Sequence, residues 1–250
     1  MTAAELALKL DTILSSSSIS DYSGAHNGLQ LGSEGEVGLI ACAVDSSLPV
    51  IEKAVAAGAD VLIVHHGMFW QGVRPITGAF QQKLKLAMDH GLAVYSSHIP
   101  LDIHSELGNN AVLAKKLGLE NIEPFHPWKG IDLGVKGDLN LSLGAVVDCL
   151  GTLTQSAVTV CGDPDQACGK VGIITGGAGS EVEQVHAEGI DTFITGEGPH
   201  WSHGLAEELG LKFCYAGHYA TETFGVRAVG EHLERHEGLP FIFIDHPTGL

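Results

Sequence analysis

His65 and His66 stand side by side at the end of the apolar run Val61-Leu62-Ile63-Val64, directly before Gly67. Imidazole is the commonest metal-ligating side chain. Two further histidines share a spacing with an acid, His98-x-x-x-Asp102 and His218-x-x-x-Glu222. The imidazoles of His65, His66 and His218 with the carboxylates of Asp102 and Glu222 make a set of N and O donors without thiolate. Such a set suits Zn, Mn, Fe, Co or Ni better than a structural Cys-rich zinc site. Five donors exceed the needs of one four-coordinate ion and fit two divalent ions about 3.5–4 Å apart. A plainer reading leaves His65 and His66 on a turn, and His98 and His218 as strand-end residues bonded to backbone. Glu197 could move protons beside the metals or serve only as a helix-start carboxylate.

These residues need strands that end together. The run 61–64 is short and β-branched, as in a strand buried on both faces of a parallel sheet, and open α/β sheets bind ligands beyond the carboxyl ends of such strands. The second half of the chain repeats the first: GADVLIVHHG (58–67) lies over GIDTFITGEG (189–198), and HGLAVYSSHIPLD (90–102) over LGLKFCYAGHYATE (209–222). Glu197 then takes the place of His66, His218 that of His98, and Glu222 that of Asp102. The expected fold is α/β, an internally duplicated pair of three-layer α/β/α units related by a pseudo-two-fold axis. The expected repeats are 1–125, with the His-His motif, and 126–250, with the HxxxE motif, joined by the loop FHPWKG (125–130). Helices are expected over 2–15, 80–90, 109–117 and 142–154, and strands over 29–31, 37–44, 92–96 and 157–161. A helix capped by the stretch 45–47, with Pro49 in its first turn, is expected to end at Gly58.

Several features carry less chemistry. Gly176-Gly177-Ala178-Gly179 could cradle a phosphate, but it is neither a Walker loop nor GxGxxG, and a tight strand–helix turn accounts for it. Ser180 and Glu183 read as a capping box. His200 and His203 read as surface or packing residues. The five cysteines lie mostly in apolar runs, with no CxxC, and read as buried thiols rather than ligands. The C-terminal run Phe241-Ile242-Phe243-Ile244 is strand-like and would be an edge liability if exposed.

The chain has 250 residues, enough to bury a sizeable core. A formal charge of −17 argues against nucleic acid or an anionic membrane on the outer surface, because such binding needs clustered Lys and Arg. With no signal-peptide pattern and no apolar run of membrane-spanning length, the chain reads as soluble and cytoplasmic.

The segments HNGLQLG (26–32), VLIVHHGMFW (61–70), SSHIPLDIHSELGNNAVLAKKLG (96–118), ITGGAG (174–179), DTFITGE (191–197) and GHYATETFGV (217–226) resemble the Nif-three-like dinuclear metal-centre proteins, often labelled GTP cyclohydrolase 1 type 2 homologues. The resemblance covers nearly the whole chain, in the short bacterial form. It implies a duplicated α/β fold, a toroidal homohexamer and two divalent transition-metal ions per subunit. The implied ligands are His65, His66, Asp102, His218 and Glu222. The repeat alone makes His98 a ligand, whereas the resemblance sets it behind the ligands, and with Glu197 it is a candidate for the catalytic machinery. The expected activity is metal-dependent hydrolysis of a small molecule, with a nucleotide suggested by the family label. The alternative is a non-catalytic hexameric metal-binding regulatory or scaffold protein.

Overall fold

The computed structural model describes residues 1–72 and 74–250. The fold is mixed α/β, with two sheets in two compact units. Unit 1 comprises Met1–His104 and Gly225–His246; unit 2 comprises Ser105–Phe224 and Pro247–Leu250. The units divide at His104–Ser105 rather than at 125–126, and the chain returns to unit 1 at Gly225.

Unit 1 begins with α1 (Ala3–Ile13), whose capping box joins Thr2 and Glu5. β1 (Gly28–Leu31), β2 (Ile40–Asp45), α2 (Leu48–Ala56), β3 (Val61–His66), α3 (Gly78–Asp89), β4 (Ala93–Ser96) and the one-turn α4 (Ile99–Asp102) follow.

Unit 2 holds α5 (Asn109–Leu117), β5 (Glu120–Trp128), β6 (Ile131–Ser142), α6 (Leu143–Thr154), β7 (Thr159–Cys161), β8 (Ala167–Ile173), α7 (Val182–Ala187), β9 (Thr192–Thr195), α8 (His200–Leu209), β10 (Lys212–Tyr215) and the one-turn α9 (His218–Thr221). α10 (Thr223–Glu237) and β11 (Phe241–Phe243) complete the chain.

The sheet of unit 1 has the order β1-β4-β3-β2-β11, with β4, β3, β2 and β11 parallel and β1 antiparallel. Alternation along its strands sends side chains to two helical layers. Ala41, Ala43, Leu62, Val64 and Val94 pack with Val50, Ile51 and Ala54 of α2 and Phe80, Leu84 and Ala87 of α3. On the other face, Phe241 lies against Gly230 of α10, and Arg227 covers the Phe243 ring at 3.5 Å. The C-terminal strand is thus paired with β2 on one side, the site of the predicted edge liability.

The sheet of unit 2 has the order β5-β6-β8-β9-β10-β7, with β8, β9 and β10 parallel. α5 and α6 supply Leu113, Leu117, Leu143, Val146 and Leu150 to one face. α7 and α8 supply Val182, Val185 and Ala206 to the other. Three parallel strands, each followed by a helix, therefore recur in each unit: β2–α2–β3–α3–β4–α4 in the first and β8–α7–β9–α8–β10–α9 in the second. His98 precedes α4 and His218 opens α9, each just after the third of these strands.

Two local expectations differ from the structure. FHPWKG is not a linking loop: β5 runs to Trp128, which pairs with Ile131 across the two-residue turn Lys129-Gly130. Both turn residues have positive φ, 47° and 86°, the geometry that matches strand twist in a tight hairpin. Ser180 forms no capping box, because its hydroxyl donates to Glu181 Oε1 and the helix starts from Glu181 without a side-chain cap. Among the described residues no helix is long and apolar enough to cross a membrane.

The contact between α10 and β11 gives a test away from any donor group. A Cβ on Gly230 would lie 2.3 Å from the Phe241 ring. Gly230→Ala gains about 1 kcal/mol of helix propensity, but the overpacking costs about 1–3 kcal/mol. We expect net destabilisation in urea unfolding, relieved when Phe241→Leu is added. An unchanged midpoint would show that α10 shifts freely on β11.

Candidate metal centre

The candidate ligands fall into two donor sets, one in each unit. In unit 1, β3 is apolar through Val64 because it is covered on both faces, and its last two residues pass beyond the core. Gly67 then turns the chain. A Cβ there would meet the Gln30 amide at 2.2 Å. Gln30 accepts from Met68 N at 2.7 Å and donates to the carbonyls of Ala25 and His26, so β1 fixes the turn that follows the histidines.

His65, His66 and His98 offer ligand atoms that all lie within 4.8 Å of one another. Each ring is oriented in the same way. His65 Nδ1 donates to the Ser97 carbonyl at 3.0 Å, His66 Nδ1 to Asp45 Oδ1 at 2.9 Å, and His98 Nδ1 to Asp21 Oδ1 at 2.9 Å. A carbonyl or an ionised carboxylate can only accept, so each Nδ1 carries the proton and each Nε2 is left as the lone-pair atom. His65 Nε2 lies 3.5 Å from Asp102 Oδ2, and His65 is fully buried. Trp70 meets the His98 ring edge-to-face at 4.7 Å.

Asp21 is a site residue that the sequence reading missed. Its Oδ1 also accepts from Tyr22 N at 2.6 Å, and its Oδ2 accepts from Asn27 Nδ2 at 2.8 Å and Ile99 N at 3.0 Å. Burial pushes the Asp21 pKa up, but bonds and charge from His98, with the bonds from Asn27 and Tyr22, bring it below the ordinary carboxylate value. Asn27 Oδ1 accepts from His98 N at 2.8 Å and closes the network. Asp45, read as a helix cap, is instead the β2 neighbour of His66 in register. That pairing is legible only once the strands are aligned.

In unit 2, His218 Nδ1 donates to Glu197 Oε1 at 2.8 Å, and its Nε2 lies 3.1 Å from Glu222 Oε1. Burial pulls the His218 pKa down, but Glu222 and then Glu197 outweigh it and push it up to about 9. Glu222 is buried, at 3% exposure, and has room because Gly176 lacks a Cβ, which would lie 2.2 Å from Glu222 Oε1. Gly176 also holds φ +71°, a conformation that strains other residues. Thr221 Oγ1 accepts from Gly176 N at 3.0 Å and ties this loop to α9. The glycines at 176–179 thus serve close approach: Gly179 lies against Gly198, where a Cβ would meet backbone at 2.4 Å. Glu197 is half exposed and orients a ring that pairs with a buried carboxylate.

These residues fit divalent metal ions. Ligand bonds of about 2.0–2.2 Å set neighbouring N and O donors roughly 3 Å apart. The Nε2–carboxylate separations of 3.5 Å in unit 1 and 3.1 Å in unit 2 are of that order. Imidazoles held by Nδ1 to oxygen are the usual arrangement behind metal-ligating histidines. The carboxylates that push His218 up to about 9 would equally favour a cation in place of the proton.

Comparison with known proteins follows the same lines. A family model described as Duf34/NIF3 (NGG1p interacting factor 3) matches residues 1–249. A Pyrococcus abyssi protein called GTP cyclohydrolase 1 type 2 homolog is 41% identical over 253 residues, with 100% of each chain covered. The solved structure of protein ybgI, described as of unknown function, matches with a TM-score of 0.90 at 36% identity over 100% of both chains. TTHA1606 from Thermus thermophilus matches with a TM-score of 0.88 at 38% identity, again over 100% of both.

Asp21→Asn tests the orientation of His98. An amide cannot accept from all four donors that Asp21 satisfies, so the ring loses its fixed tautomer. We expect metal affinity to fall about tenfold, the low end of the range for groups behind the ligands, because Asp21 acts through His98, with the circular dichroism spectrum unchanged. Competition with a chromophoric chelator reads the affinity. Wild-type affinity in this variant would show that the His98 orientation is irrelevant to metal binding.

Proposed function

The chain belongs to the Duf34/NIF3 family, and from that premise we propose that it is a dinuclear metal-binding protein acting as a metal-dependent hydrolase. In this reading His65, His66, Asp102, His218 and Glu222 hold two divalent transition-metal ions per subunit. The observation that carries it is the common orientation of the four imidazoles, each with Nδ1 donating to oxygen. Bound ions would supply Lewis acidity and a water of lowered pKa.

The chain's own residues do the rest. Asp45, Asp21 and Glu197 fix the tautomers of His66, His98 and His218. Glu197 also lines a cavity of about 690 Å³ in unit 2, with His200, Trp201, His203 and Tyr215. From there Glu197 can take a proton from, or return one to, a substrate atom, while His218 holds its other oxygen. His98 stays behind the ligands as a positioning residue. The relatives' name suggests a nucleotide substrate. Among the described residues, those lining that cavity include no Lys or Arg, which disfavours a triphosphate there. In a second reading the protein binds metal as a regulatory or scaffold component without turnover.

Elemental analysis of purified protein tests the metal assignment. We expect at least two ions per chain, and loss of at least one in His65→Ala and in Asp102→Ala. Full occupancy in both variants would remove the ligand assignment. Glu197→Gln can still accept from His218 Nδ1, so it should keep both ions and lose turnover on a substrate found by screening the metal-loaded protein. Turnover equal to wild type would exclude Glu197 as the proton-transfer group.

The family resemblance also carries a toroidal homohexamer as the proposed assembly. Light scattering should give the mass of six chains. A monomer would count against the assembly while leaving the donor sets intact.

A further inference from the structure

Cys161 ends β7, the edge strand of the unit 2 sheet. Its antiparallel partner is Phe213, so its side chain falls on the sheet face covered by α8 and packs among Phe193, Ala206 and Phe213. His203 and Glu207 lie four residues apart on α8 and so share one helix face. Sγ of Cys161, a ring nitrogen of His203 and a carboxylate oxygen of Glu207 all lie within 4.8 Å of one another. His203 Nε2 is 3.9 Å from Glu207 Oε1, and Cys161 Sγ is 3.9 Å from the His203 carbonyl.

The geometry is a slightly open three-donor site. Bonds of about 2.3 Å to sulfur and 2.0–2.2 Å to nitrogen and oxygen would draw the donors together by roughly 1 Å. Cys161 is buried at 4% exposure and fixed by the strand. The side chains of His203 and Glu207 are 39% and 66% exposed and can make that adjustment by rotation. Both line the cavity of about 690 Å³, so one coordination position would face it. The donor chemistry also differs from that of the two sets described above. A thiolate selects softer ions, whereas imidazole and carboxylate alone do not.

We propose that Cys161, His203 and Glu207 form a separate mononuclear site for a thiophilic divalent ion such as Zn²⁺ or Co²⁺, with its open position on the cavity. Without an ion, burial and then the Glu207 carboxylate push the Cys161 pKa up, so the group is an unreactive thiol. On binding, the thiol proton leaves to solvent, a sulfur–metal bond forms and bound waters leave the ion. No electron is transferred. The site stands whether or not the chain is a hydrolase, because it shares no residue with the proposed dinuclear ligands.

Full-length protein, stripped of metal with a chelator and titrated with Co²⁺, tests it. A thiolate ligand gives a near-ultraviolet sulfur-to-cobalt charge-transfer band that imidazole and carboxylate cannot give. We expect this band in the wild type, its loss in Cys161→Ser, and at least a tenfold weaker Co²⁺ dependence of the band in His203→Ala. The band should persist in Cys149→Ser, which removes the exposed cysteine. Should Cys161→Ser fail to fold, the surface change His203→Ala still decides the matter. No band in the wild type, or a band unaffected by His203→Ala, would overturn the proposal.

Discussion

The donor sets depend on one interaction, the hydrogen bond from an imidazole Nδ1 to a fixed oxygen. It recurs at His65, His66, His98 and His218, with Ser97 O, Asp45, Asp21 and Glu197 as acceptors. A free imidazole exchanges its proton between two nitrogens and rotates about two bonds. The acceptor removes both freedoms before any ion arrives, so ligation does not have to supply that ordering. The acceptors sit on different elements, and two of them are placed by strand pairing. Asp45 faces His66 because β2 and β3 are parallel and in register. Ser97 follows β4, whose pairing with β3 sets it beside His65.

A second constraint is space. Buried carboxylates need room at loops where strands end, and glycine supplies it by omitting a Cβ. Gly176 clears Glu222, and Gly196 lets its loop lie 2.6 Å, measured from a built Cβ, from both the Gly176 carbonyl and the His218 Cα. The latter contacts are with backbone, which cannot rotate away. The glycine-rich stretch therefore answers a packing requirement of the carboxylate and histidine beside it.

Much of this was legible in the sequence. The strand 61–66 shows itself because burial on both faces demands an unbroken apolar run, and the polar pair at its end marks where the sheet stops. The duplication was legible because the third parallel strand of each unit leads into the same histidine-led turn. The acceptors were not legible. Asp21 lies in a polar stretch and meets His98 across 77 residues, so no local period reports the contact. β5 carries Glu, Asn and Pro rather than an apolar alternation, and only its pairing with β6 makes it a strand. The unit boundary was misplaced for a related reason. The sequence break at 125–130 is a hairpin, and the return of β11 to β2 is a contact between distant segments.

The choice of histidine beside the buried carboxylates carries a further argument. A buried carboxylate must be compensated by hydrogen bonds or opposite charge. Glu222 has His218 Nε2 at 3.1 Å. A lysine or arginine in that place would compensate the charge permanently and leave nothing for an ion to do. An imidazole compensates only while protonated, and the same nitrogen becomes a ligand once the proton leaves. At His218 the two states are evenly matched near pH 9 in the absence of an ion. A divalent cation brings more charge than the proton it replaces and binds the carboxylate and the imidazole together. The pairing of histidine with acid therefore stabilises the folded chain without an ion and still gives way to one, a property that a fixed salt bridge lacks.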